Sequence, residues 1–147
     1  MKPLFSFIVI FLIGCGGSRT IEQQIGERLK ACGSQPCIVR ITDVTDFPWD
    51  KMYVFEAGAT HEQIEKSLGT TFPDYVEFTR RIVFLKNGKI IRREEQPADV
   101  EHPVNGQVAF AETYTDPYWA FTPANAVFRG EQKRFSGGVY YLLVQVK

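Results

Sequence analysis

Asn87-Gly88 stands between two apolar runs, Arg81-Ile82-Val83-Phe84-Leu85-Lys86 before it and Lys89-Ile90-Ile91-Arg92-Arg93-Glu94 after it. Both turn residues accept positive φ, so the pair selects a two-residue type I′ hairpin and commits this stretch to antiparallel sheet. The register that follows pairs Leu85 with Ile90 and Phe84 with Ile91. It sets Arg81 opposite Glu94 and Arg80 opposite Glu95, both favourable cross-strand pairs. Apolar side chains fall on both faces near the turn, which predicts cover on both sides of the hairpin. Arg80, Arg81, Arg92 and Arg93 invite a phosphate-site reading. Glu94 and Glu95 neutralise that group, and a solvated strand edge is the expectation.

Two helices are announced by their starts. Thr20-Ile21-Glu22-Gln23 is a capping box, in which Thr20 and Gln23 satisfy two orphan backbone donors. Ile21, Ile25, Leu29 and Cys32 then form one narrow apolar stripe, with Gly33 able to stop the helix in a left-handed conformation. The first helix is therefore expected over residues 21–32. Thr60-His61-Glu62-Gln63 repeats the signature, with Ile64 and Leu68 one turn apart and Gly69 at the exit. This second helix, residues 61–68, is too short to persist without packing. His61 falls in its first turn and reads as solvent-exposed, neutral and non-catalytic.

The remaining apolar runs read as strands. Residues 37–42 are β-branched and short. Residues 49–55 alternate, with Trp49, Lys51, Tyr53 and Phe55 on one face and Met52 and Val54 on the other. Residues 70–78 form an aromatic connector of turn and edge. Further strands are expected over 107–111, 126–130 and 139–146, the last two around a turn at Gly137-Gly138. The fold class is α+β: a single domain with a mainly antiparallel sheet of about five to seven strands and two short helices packed on it. A doubly wound parallel sheet is disfavoured, because helices do not regularly separate the strands. No repeat or low-complexity tract divides residues 20–147.

The chain's N-terminus determines where such a domain would reside. Met1-Lys2 is followed by an uncharged apolar run from Leu4 to Ile13, the length of a signal-peptide core and short of the ~20 residues that span a bilayer. Leu12-Ile13-Gly14-Cys15 closes it. This tetrad resembles the lipobox of bacterial lipoproteins. The resemblance implies diacylglyceryl transfer to the Cys15 thiol, cleavage before Cys15, and further acylation of the new amino group with palmitate-type chains. Residues 1–14 would then be a signal peptide, 15–19 a lipidated tether and 20–147 the globular domain. The other reading is an ordinary secretory peptide that leaves Cys15 a free thiol. Gly rather than Asp follows Cys15, which by the same resemblance favours the outer membrane where the host has two. The string from Trp49 to Phe55, followed by a short helix, resembles a pattern of small bacterial envelope lipoproteins and implies no particular activity.

With Cys15 assigned to lipid, Cys32 and Cys37 remain as an even pair in an exported chain, expected to form a disulfide. Their spacing is not the C-x-x-C of redox or metal sites, and no histidine lies nearby. Seventeen basic residues balance seventeen acidic ones. Such neutrality argues against nucleic acid and against electrostatic attachment to anionic lipid. The expected partners are the membrane, through acylated Cys15, and an envelope protein.

Catalytic signals are weak. Neither Ser67 nor Ser136 sits in a nucleophile elbow, and only His61 and His102 could act as bases. Two histidines with scattered carboxylates do not make a zinc site. Carboxylates alone suffice for a glycosidase, yet some pair is inevitable by chance. The reading is non-enzymatic, without metal or cofactor: a binding or structural module first, a membrane-tethered inhibitor or immunity-like protein second, a small cell-wall hydrolase third. The candidate interface is Tyr114, Tyr118, Trp119 and Phe121, crowded between residues that include Pro117 and Pro123. Prolines remove backbone donors, so this segment is expected as a surface loop rather than a strand. Its rings either meet a partner or fold back to cap an end of the sheet.

Overall fold

Both capping boxes form, and each opens a helix. Thr20 Oγ1 accepts from the Gln23 amide at 3.1 Å and Gln23 Oε1 accepts from the Thr20 amide at 3.0 Å. The same reciprocal pair joins Thr60 and Gln63. The computed structural model describes residues 19–97, 102–111 and 118–146. Within them lie helices α1 (Ile21–Ala31) and α2 (His61–Leu68) and eight strands. The strands are β1 (Cys37–Arg40), β2 (Lys51–Phe55), β3 (Thr79–Lys86), β4 (Lys89–Pro97), β5 (Val108–Phe110), β6 (Tyr118–Phe121), β7 (Val127–Phe135) and β8 (Gly138–Gln145).

The fold is α+β, with two sheets rather than one. The first has the order β1-β7-β8-β5 and the second β4-β3-β2-β6. All pairings are antiparallel except β5 with β8. The sheets face each other across a core to which the first contributes Val39, Phe128 and Leu143, and the second Met52, Ile82 and Phe84. Phe121 of β6 bridges them, edge-on to Phe128 with ring centroids 5.1 Å apart. The α1 stripe of Ile21, Ile25 and Leu29 enters the same core. Gly130 of β7 makes that approach possible, since a Cβ there would strike the Leu29 side chain. Cys32 caps α1 and is disulfide-bonded to Cys37 at the start of β1, with Cα atoms 6.3 Å apart.

A second core lies on the outer face of the second sheet. Tyr53, Phe55, Val83 and Leu85 meet Ile64 and Leu68 of α2 and Phe72 of the connector. Strand β3 is therefore covered on both faces, whereas β4 is not, and its Ile91 is exposed.

Four local expectations are corrected. The Asn87-Gly88 turn forms with φ of 50° and 72° and Leu85 does oppose Ile90. A bulge then inserts Ile91, so Phe84 opposes Arg92, Arg81 opposes Glu95 rather than Glu94, and Arg80 opposes Gln96 rather than Glu95. One extra residue exchanges the faces of everything beyond it. Glu94 thereby reaches the inner face, where its carboxylate accepts from the Ile21 amide at 2.7 Å. Trp49 precedes β2 rather than belonging to it, so alternation does not reach it. It packs in the inter-sheet core, 5.4 Å from Phe84, on the side opposite Tyr53. Residues 41–43 form a 3-10 turn that ends β1 early.

The fourth correction concerns the aromatic segment. Tyr118–Phe121 is not a loop but the edge strand β6, with Val54 opposite Trp119 and Phe55 opposite Tyr118. Pro117 and Pro123 bracket these four residues in the sequence, so every amide between them keeps its hydrogen and can join the ladder.

Candidate functional site

Residues 69–78 leave α2, cross the outer face of the second sheet and enter β3. Gly69 ends the helix at φ 68°. Phe72 then turns fully inward, and its backbone is held at both polar groups. Its amide donates to Glu65 Oε1 at 2.8 Å. His61 Nε2 donates to its carbonyl at 2.8 Å, so that nitrogen carries the proton. The His61 ring also stacks on Tyr75, with centroids 5.1 Å apart, and Tyr75 donates its hydroxyl to Ala59 at 3.0 Å. His61 is thus exposed, as expected, yet it serves as a brace.

Arg81 is the centre of this arrangement. It is only 1% exposed, which contradicts the expectation of a solvated strand edge. It shares the outer face of β3 with Val83 and Leu85, which follow it in the strand, and the connector covers it from above. The guanidinium donates to Glu95 Oε1 at 2.7 Å and to the Thr79 carbonyl at 2.6 Å. It donates to the Val76 carbonyl as well. Tyr75 lies 4.7 Å over it and Phe72 5.7 Å away. A buried cation is tolerated only with such pairing and hydrogen bonding. Arg93 adds a further tie, donating to the Pro73 carbonyl at 2.6 Å and standing 5.3 Å over Phe72.

The clamped backbone presents its remaining side chains outward. Val76 is 58% exposed and Phe78 68%, the most exposed large apolar residue among those described. Phe78 adopts φ 55°, a left-handed conformation that a bulky side chain takes only at a cost. Strain of this kind persists where the surroundings over-determine it. Here the neighbouring Val76 and Thr79 carbonyls are both held by Arg81.

On the inner face, α1 meets the second sheet through a polar network. Arg80 donates to Glu22 Oε1 at 3.2 Å and to the Val108 carbonyl at 2.8 Å. Arg92 pairs with Glu94 at 3.0 Å. Burial pushes the Glu22 carboxyl above its ordinary range, with Arg80 and Gln96 opposing that shift. Beside the connector, a cleft of about 400 Å³ is lined by Thr70, Pro73, Lys89, Ile90 and Arg93 among others. Among the described residues that line it there is no carboxylate or imidazole.

The expected interface residues are dispersed. Tyr114 lies outside the described residues, as does Cys15. Tyr118 packs on Tyr53 and Phe55, Trp119 is half-buried against the inter-sheet core, and Phe121 is buried within it. Sequence reading missed Val76, Phe78 and the burial of Arg81. The available signal was an arginine inside an apolar strand, preceded by the aromatic residues Phe72 and Tyr75. Among the described residues no group of three or more histidine, cysteine or acidic side chains could hold a metal ion. No described helix is long and apolar enough to cross a membrane. The chain matches no protein-family model, no curated protein and no solved structure.

Proposed function

We propose that this protein is exported, anchored by lipid at Cys15, and works in the cell envelope as a non-catalytic binding or structural module. The observation that carries the reading is the lipobox-like Leu12-Ile13-Gly14-Cys15 directly after an uncharged apolar run of signal-peptide length. The Cys32–Cys37 disulfide supports it, because such bonds persist in oxidising compartments. Two or three acyl chains hold a protein stably, where one does so only marginally. Where the host has two membranes, Gly16 favours the outer one. The binding role is supported by the rigid connector, which displays apolar side chains instead of folding them away. An envelope protein is the proposed partner.

Intact mass of the mature protein tests the anchor, with cleavage before Cys15 plus acyl mass as the expected result. Cys15→Ala is expected to abolish that processing, and unchanged processing overturns the reading. Crosslinking in the native envelope, followed by mass spectrometry, tests for the partner protein.

A further inference from the structure

The most exposed apolar loop and the root of the tether lie at the same end of the domain. Phe78 stands two residues before Arg80, and the Arg80 guanidinium meets Glu22 in the first turn of α1 at 3.2 Å. The Ile21 amide, at the first residue of that helix, is bound to Glu94 of the adjoining β4. Two backbone steps and two side chains therefore separate Phe78 from Glu22, a span of at most roughly 20 Å. Cys15 is four residues from Arg19, and four residues reach at most about 14 Å. An anchor at Cys15 would hold this end of the domain against the bilayer, while the Asn87-Gly88 turn, at the far end of β3, points away.

We propose that Val76 and Phe78 insert into the lipid–water interface as a second membrane contact. The inference rests on the lipid anchor at Cys15. Apolar side chains at an interface bury to about 5–10 Å, within reach of a loop held this close. The acyl anchor makes the second contact intramolecular, so even two side chains can be engaged at high effective concentration. Their presentation is prepaid by the fold: Arg81 fixes the carbonyls on either side, and the ring of Phe78 is held outward at φ 55°. Glu77 separates the two apolar residues, so the attraction is to the apolar interface and not to anionic headgroups. A contact of that kind resists salt, unlike an electrostatic one.

The test uses the full-length lipidated protein in phosphatidylcholine vesicles containing a nitroxide-labelled lipid. Phe78→Cys carries a thiol-reactive fluorophore, Val76→Cys supplies a second reporter if the first does not fold, and Lys89→Cys marks the far end of the hairpin. The expected result is about twofold quenching at 78 and 76, retained in molar salt, with little at 89. Equal quenching at both ends, quenching lost in salt, or a blue shift at 78 only in native envelopes overturns the bilayer contact, the last in favour of a protein partner. Acyl mass and vesicle co-flotation are measured on the same sample. Acyl mass without selective quenching overturns this contact and leaves the anchor standing. Absence of acyl mass overturns the anchor, and this inference with it.

Discussion

Arg81 and Glu95 form a cross-strand ion pair at 2.7 Å in which the arginine side chain is wholly buried and the carboxylate is 23% exposed. They are opposite each other only because Ile91 is bulged out of β4. The pair fixes the connector from below, and through the Val76 and Thr79 carbonyls it fixes the loop that displays Phe78.

Removing Glu95 leaves that buried charge uncompensated. Glu95→Ala is expected to cost ~3 kcal/mol or more in denaturant unfolding. Replacing both partners, Arg81→Met with Glu95→Leu, is expected to cost less than the single change, since no orphan charge remains. A loss below ~1 kcal/mol for Glu95→Ala would show that the backbone carbonyls alone suffice.

Phe78 offers the reverse effect. Its ring is largely in water and its φ is 55°, where glycine has no steric penalty. Phe78→Gly is expected to stabilise the domain in solution by about 1 kcal/mol, the relief of left-handed strain less the chain entropy of glycine. A loss of stability would mean that the ring packs against the fold.

Glu22 gives the fold a pH dependence whose sign follows from its burial. Its carboxyl in the folded state titrates above the unfolded value, so its contribution is fully present in acid and is lost as pH rises through the folded value. Glu22→Gln is therefore expected to gain stability relative to the unaltered protein between pH ~4 and pH ~7. Paired unfolding curves at the two pH values check this. A relative loss over that interval would mean that the Arg80 attraction outweighs burial.

Among the aromatics of β6, Phe121→Ala is expected to cost ~3–5 kcal/mol, as for a buried ring, and Trp119→Ala less because it is only partly buried. Calorimetric or denaturant unfolding measures both. Near-unchanged stability of Trp119→Ala with loss of a crosslinked envelope partner would instead mark an interface at that edge strand.

Reduction of the Cys32–Cys37 bond is expected to lower the melting temperature without unfolding the domain. The two cysteines are five positions apart, so the chain-entropy contribution is only ~2 kcal/mol. Complete unfolding on reduction would show that the helix-to-strand corner supports far more of the fold.

Most of what is legible in the chain alone has a local cause, although the 3-10 turn at 41–43, local as it is, reads as strand. The capping boxes at Thr20 and Thr60, the stop at Gly69, the α1 stripe and the Asn87-Gly88 turn all depend on residues within a few positions of one another. The pairing of Cys32 with Cys37 is local in the same sense. The remaining features depend on contacts between distant segments. The bulge at Ile91 reconciles an outer face that needs Glu95 beside Arg81 with an inner face that needs Glu94 at the start of α1, a partner 73 positions away. The division into two sheets depends on β7 docking against β1 from the far end of the chain, with β5 joining the other side of β8 in parallel. Burial of Arg81 follows from the connector folding over it. Hydrogen-bonding and charge partners so distant in sequence leave no periodicity to read, because periodicity records which face an element buries and not what covers it.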